Sequence, residues 1–181
     1  MLPPLGQLPY LKELSISYCY GIEIIGKEFY GNNSTIIPFR SLEVLEFEWM
    51  LGWKEFYCLD WFPLFQKLSI RYCRILKRAL PRHLPSLQIL DISECYKLEA
   101  SIPKADNISE QDLDRCDSIL VNEFPSKLKR LVLNRNRFTE FSLEQILFNN
   151  TFLEMLIVDY SRLVGCPLED LHCYNCLYTL L

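Results

Sequence analysis

The chain has 181 residues, about the length of one domain, and half of them are hydrophobic, which argues against disorder over most of it. A formal net charge of −4, from 19 Lys and Arg against 23 Asp and Glu, argues against a nucleic-acid arm or a polybasic membrane surface, since both need a positive field. No apolar run approaches the roughly 18 residues of a membrane span, and Met1-Leu2-Pro3-Pro4-Leu5-Gly6 has neither the charged nor the apolar segment of a secretory signal.

Taken in chain order, one pattern recurs. Leu11, Leu14, Ile16 and Cys19 have the form L-x-x-L-x-L-x-x-C. Leu42, Leu45, Phe47 and Met50 repeat it, with Trp53 in the last slot. Phe65, Leu68, Ile70, Cys73 and Leu76 follow, then Leu87, Leu90, Ile92, Cys95 and Leu98. A degenerate copy comes next, Ile108, Gln111, Leu113, Cys116 and Ile119, in which only Gln111 breaks the apolar frame. Leu128, Leu131, Leu133 and Asn136 give an asparagine form. Phe141 to Phe148 is the best helix candidate, with Ser142 as its N-cap. Leu153, Leu156, Val158, Ser161 and Val164 give a weaker copy, and Leu177-Tyr178-Thr179-Leu180 opens an eighth.

Starts at 11, 42, 65, 87, 108, 128 and 153 are separated by 20 to 31 residues, nearly all within the roughly 20–29-residue period of leucine-rich repeats. The predicted fold is therefore an α/β leucine-rich-repeat solenoid of about seven repeats. Its curved parallel β-sheet lines the concave face, and its convex side is irregular with short helical turns. Each L-x-x-L-x-L is a short strand whose leucines point inward, and the Cys or Asn slot opens the turn out of it. Residues 1–181 form a single domain in this reading. Solenoid ends normally need caps, and none is visible here. The chain is accordingly expected to be a fragment of a longer array or a truncated gene product, and marginally stable or aggregation-prone alone.

The frame also assigns the solvent-facing lanes. The residue before the Cys slot gives Tyr18, Trp49, Tyr72, Glu94, Arg115, Arg135 and Tyr160. The residue before that includes Glu48 and Arg71, and the position between the second and third apolar residues includes Glu46 and Asp91. Aromatic residues and Arg on an exposed rigid surface are typical binding anchors. The candidate partner-binding residues are thus Tyr18, Glu46, Glu48, Trp49, Arg71 and Tyr72. The competing reading is that the aromatics merely pack on one another across strands and the acids solvate the face.

Other constellations carry less. Eight cysteines lie below the density of a disulfide scaffold, and without a secretory signal the thiols are expected to be free. Cys166, His172, Cys173 and Cys176 could supply four zinc ligands. The adjacent His172-Cys173 pair is awkward for that, however, and no second C-x-x-C supports it, so no metal is expected. Cys19, Cys73, Cys95 and Cys116 share the turn slot, so one structural period explains all four. His83 lies on the Pro81-to-Pro85 outer segment, and nothing assembles a base, a nucleophile and an oxyanion donor, so no enzyme is expected.

Leu5-Gly6-Gln7-Leu8-Pro9-Tyr10-Leu11-Lys12-Glu13-Leu14 resembles the leucine-rich-repeat region of plant NB-ARC disease-resistance proteins of the coiled-coil class. So do Gly26-Lys27-Glu28-Phe29-Tyr30-Gly31, Pro38-Phe39-Arg40-Ser41-Leu42-Glu43 and Trp53-Lys54-Glu55-Phe56. Leu98-Glu99-Ala100-Ser101-Ile102-Pro103 and Phe124-Pro125-Ser126-Lys127-Leu128-Lys129-Arg130-Leu131 are also similar, so the resemblance runs along essentially the whole chain. It implies a cytoplasmic or nucleocytoplasmic sensor segment that contacts a pathogen effector or a guarded host protein. It also implies packing against an upstream nucleotide-binding module, which the segment helps to hold off. ADP or ATP is expected only on that module, because this chain has no G-x-x-x-x-G-K-[ST] loop. The alternative is the substrate-recruiting repeat of an F-box ubiquitin-ligase adaptor, which also favours Cys in the turn slot. A receptor-kinase ectodomain would need a signal peptide and the L-x-x-N-x-L-x-G-x-I-P turn, and neither is present.

Overall fold

A computed structural model describes residues 1–31, 37–57, 62–78, 80–116, 118–121, 124–136, 150–159 and the backbone of 177–178. Each repeat of the sequence frame forms a five-residue strand starting two positions after its first apolar residue. These are β1 (Glu13–Ser17), β3 (Val44–Glu48), β5 (Lys67–Arg71), β6 (Ile89–Ser93), β8 (Glu110–Asp114), β10 (Arg130–Asn134) and β11 (Met155–Asp159). They pair in that order, all parallel and without a register slip, so that every frame position stacks on its equivalent.

Alternation along each strand sends two side chains inward. One inward column runs Leu14, Leu45, Leu68, Leu90, Gln111, Leu131 and Leu156; the other runs Ile16, Phe47, Ile70, Ile92, Leu113, Leu133 and Val158. From β3 to β10 every apolar member of both columns is buried, each contributing roughly 1.5–3 kcal/mol through loss of apolar surface from water. The exception of the sequence frame is a real one. Gln111 is fully enclosed in the leucine column, and neither its Nε2 nor its Oε1 has a hydrogen-bond partner.

The turn slot works as a second ladder. Cys73, Cys95 and Cys116 are buried free thiols and Cys19 is half-buried. Cys95 Sγ donates to the Ile70 carbonyl at 3.5 Å, and Cys116 Sγ to the Ile92 carbonyl at 3.3 Å. Each therefore reaches back to the fourth strand residue of the repeat before. Asn136 does the same with its amide, Nδ2 donating to the Leu113 carbonyl at 2.6 Å, and it adds a bond the thiols cannot make. Its Oδ1 accepts the Cys116 N–H at 2.8 Å.

Among the described residues the strands of the opposite side are two residues long. β2 (Ile24–Ile25) pairs in parallel with β4 (Glu55–Phe56), and β7 (Ala100–Ser101) with β9 (Ile119–Leu120). Helix among the described residues is confined to two 3-10 turns, Leu5–Gln7 and Lys27–Phe29. The helix candidate at 141–148 lies outside the described residues. In place of helix, rings pack: Phe29 on Phe39 at 4.9 Å between centroids in the long first interval, and Phe47 on Trp53 at 4.6 Å in the repeat that follows. The buried Trp53 satisfies its indole N–H at the Glu55 carbonyl, 2.9 Å away.

The eighth repeat differs from expectation. β12 (Leu177–Tyr178) pairs with β11 in antiparallel sense. In the frame a repeat strand begins two residues after its first leucine, whereas here the pairing falls on Leu177 itself. This pair closes against the sheet rather than extending the solenoid's progression.

Candidate functional site

Strict alternation would turn the residue after each strand back toward the core. The backbone prevents this. Tyr18, Trp49, Tyr72, Glu94, Arg115 and Arg135 all adopt positive φ, between 51° and 58°. Each still extends the sheet by one bond: Tyr18 N–H donates to the Glu48 carbonyl at 3.0 Å, Trp49 to Arg71 at 3.1 Å and Tyr72 to Ser93 at 2.9 Å. The left-handed kink costs a non-glycine residue about 1–2 kcal/mol. It lets the next residue, the Cys or Asn slot, point inward, and it directs the bulky side chain onto the rim of the sheet.

The three aromatics of this lane form one column. Tyr18 and Trp49 stack with centroids 6.3 Å apart and planes 7° apart, and Trp49 and Tyr72 with 4.2 Å and 8°. Tyr20 closes the end with its edge against Tyr18, at 6.3 Å and 86°. Adjacent strands lie about 4.8 Å apart, so equivalent positions present rings at stacking distance without further adjustment. The column is not a core feature, since Tyr18 is 57% exposed and Trp49 and Tyr72 are half-buried.

The charged candidates divide. Glu46 is held by Lys67, 2.7 Å away on the next strand. Arg71 is drawn onto Asp91: its Nε lies 2.8 Å from Oδ2, and its Nη2 bonds the same oxygen. That hydrogen bond raises the guanidinium's pKa further above its ordinary value. Arg71 is thus committed within the sheet, while Glu48, half-buried beside it, makes no ion pair among the described residues. Among the six candidates the structure therefore brings Tyr18, Trp49, Tyr72 and Glu48 together at one end of the concave face, with Glu46 and Arg71 already engaged.

Further along, acids outside the six candidates take over. Glu94 replaces an aromatic in the rim lane. It is buried, bonded by Arg115 and the Tyr96 hydroxyl, with Arg74 at 3.8 Å. Asp91 and Asp112 are register partners on β6 and β8. Burial, and then the neighbouring Asp91 carboxylate, push Asp112 up to about 6, despite Arg130 at 3.6 Å. Asp114 is raised in the same direction, by burial and by Glu94 and Asp159 against the pull of Arg115.

Other sequence candidates fall elsewhere. His83 lines an open groove of about 940 Å³ on the outer side, together with Arg78, Arg82 and Lys104. Cys166, His172, Cys173 and Cys176 lie outside the described residues, as does Tyr160. Among the described residues no helix is long and apolar enough to cross a membrane.

No protein-family model matches the chain, and no solved structure matches it. Two proteins of Arabidopsis thaliana do. It is 42% identical over 100 residues to one described as disease resistance protein At3g14460, an alignment covering 52% of this chain and 7% of that protein. It is 43% identical over 108 residues to one described as disease resistance RPP13-like protein 1, covering 54% of this chain and 10% of that protein. The chain thus spans a tenth or less of the length of these relatives, and the similarity, expected along the whole sequence, is matched over about half of it. Parallel repeat strands in unbroken register, together with this identity, make the chain a leucine-rich-repeat solenoid homologous over about half its length to plant disease resistance proteins.

Proposed function

We propose that this solenoid is the recognition segment of an intracellular plant immune receptor. Its concave face binds a pathogen effector or a guarded host protein. In the whole receptor it also packs against an upstream nucleotide-binding switch, which carries the ADP or ATP, and holds that switch off until the partner arrives. The observation that carries the reading is the rim column Tyr18–Trp49–Tyr72, open to solvent at Tyr18 and half-buried at Trp49 and Tyr72. It stands on a rigid sheet whose relatives are described as disease resistance proteins. Aromatic anchors on a preorganised surface lose little conformational entropy on binding.

The test is transient expression in leaves of the full-length gene, wild type and with Trp49→Ala and Tyr72→Ala, against a panel of pathogen effectors. Loss of the effector-triggered cell death at unchanged protein level is expected. A response identical to wild type would remove the concave column from recognition.

A further inference from the structure

We propose that the partner which lies on the concave face is cationic. It is an extended segment carrying Lys or Arg, with side-chain stems along the Tyr18–Trp49–Tyr72 column and charged heads over Glu48 and Asp114. This rests on the concave face being the recognition surface and names the chemistry of what it recognises.

The balance of paired and unpaired charge is the main argument. Lys67, Arg71, Arg115 and Arg130 each already hold a carboxylate of the sheet or its rim. Among the described residues, four carboxylates on the strands' solvent-facing positions, Glu13, Glu48, Glu110 and Asp114, make no ion pair. An acidic partner would have to pull cations out of existing pairs and bring its own charge to unpaired acids. Like-charge juxtaposition of that kind opposes association, whereas a basic partner meets carboxylates that no ion pair among the described residues holds, with only the longer-range pull of Arg71 on Glu48 and of Arg115 on Asp114 to overcome. The upward displacement of Asp112 and Asp114, caused by burial and then by neighbouring acids, reports the same negative field.

The aromatic geometry agrees. The rings of the column cover one another's faces, and Tyr20 caps the end. Stacked nearly parallel from strand to strand, the rings turn mainly their edges toward a partner lying along the sheet, and edges suit the methylene stems of Lys and Arg. From Trp49 at the end of β3 to Asp114 at the end of β8 there are three strand steps, about 15 Å at ~4.8 Å each. An extended chain covers that in roughly five residues at about 3.3 Å apiece. One short segment can therefore touch the aromatic column and the acidic end together.

The test pans a random dodecapeptide library, displayed on phage, against the full 181-residue chain. Selected peptides are then measured on wild type, on the isosteric pair Glu48→Gln with Asp114→Asn, and on Trp49→Ala, with circular dichroism confirming the fold of each. The expected result is enrichment of Lys and Arg. Binding should weaken about tenfold on the carboxylate pair, and it should fall steeply between about 50 and 500 mM salt. Peptides that lose binding on Trp49→Ala but lack basic residues and ignore both the carboxylate pair and salt would overturn the inference while leaving the concave recognition reading intact. Peptides indifferent to all three substitutions, or no binder at all, would overturn both.

Discussion

Gln111 occupies the leucine column between Leu90 and Leu131, fully enclosed, with its amide oxygen and nitrogen both unpartnered. A buried polar group left without a hydrogen bond costs about 1–3 kcal/mol, and Leu fills nearly the same volume. Gln111→Leu is therefore expected to stabilise the chain by about 2 kcal/mol, read as a higher urea midpoint at unchanged slope. An unchanged midpoint would mean that the amide is satisfied by water. Asp112 on the same strand makes the complementary case. Its folded pKa of about 6 lies above its ordinary 3.8, because burial and then Asp91 outweigh Arg130. The folded state holds this proton more tightly than the unfolded chain, so ionisation lowers stability as pH rises from about 4 through 6. Asp112→Asn is expected to melt like wild type near pH 4 and above it at pH 7. The gain at pH 7 is about 1 kcal/mol once solvent screening of the partly exposed carboxylate is allowed for. A variant less stable than wild type at pH 7 would show that the Arg130 pair outweighs burial.

The strands and their inward leucines were legible from the frame because a period of two, repeated at seven starts, leaves only one face to bury. That reasoning even located the strand around Gln111, where one of the two inward positions is polar. The rim lane was legible from the frame, which put Tyr18, Trp49 and Tyr72 on the solvent side, but the backbone that keeps them there was not. Alternation alone would turn them inward, and their residue types give no sign of a left-handed backbone, which favours Gly and Asn. The closure of the repeat, with Cys or Asn forced inward one residue later, imposes that conformation. Nor does residue spacing say that Arg71 takes Asp91 rather than its strand neighbour Glu48, since the choice depends on the register of β5 against β6. The turn slot offers a direct test of how the element is held. Asn136→Ala would strand both the Cys116 N–H and the Leu113 carbonyl in a buried site, with an expected loss of about 2–4 kcal/mol. Asn136→Cys, which restores only the back-bond that Cys95 and Cys116 make, should lose less. Equal losses in chemical denaturation would mean that volume, and not the carbonyl bond, governs the slot.

Because the main contacts of each described repeat strand are with its neighbours in the sheet, the molecule is close to one-dimensional, and its stability is approximately a sum of repeats and interfaces. The interfaces are not equal. In β1, Leu14 is only half-buried, Glu13, Ser15 and Ser17 are exposed, and a single neighbour, β3, accepts its pairing. In β6, Leu90, Asp91 and Ile92 are all buried, and the strand is bonded on both sides by β5 and β8. Local opening of β1 therefore exposes less apolar surface and breaks fewer bonds than opening of β6, which requires separating two stacked columns. In the 181-residue chain, amide hydrogen exchange should be slowest in β5, β6 and β8 and fastest in β1, with a graded decline between them. The aromatic column straddles that gradient: Tyr18 follows the least protected strand, and Tyr72 follows one of the most protected. If exchange instead shows one common rate from β1 to β6, the repeats are coupled strongly enough to open together. The ring stack from Tyr18 through Trp49 to Tyr72 then becomes the first contact to cut by substitution, because it joins three strands independently of the sheet's own bonds.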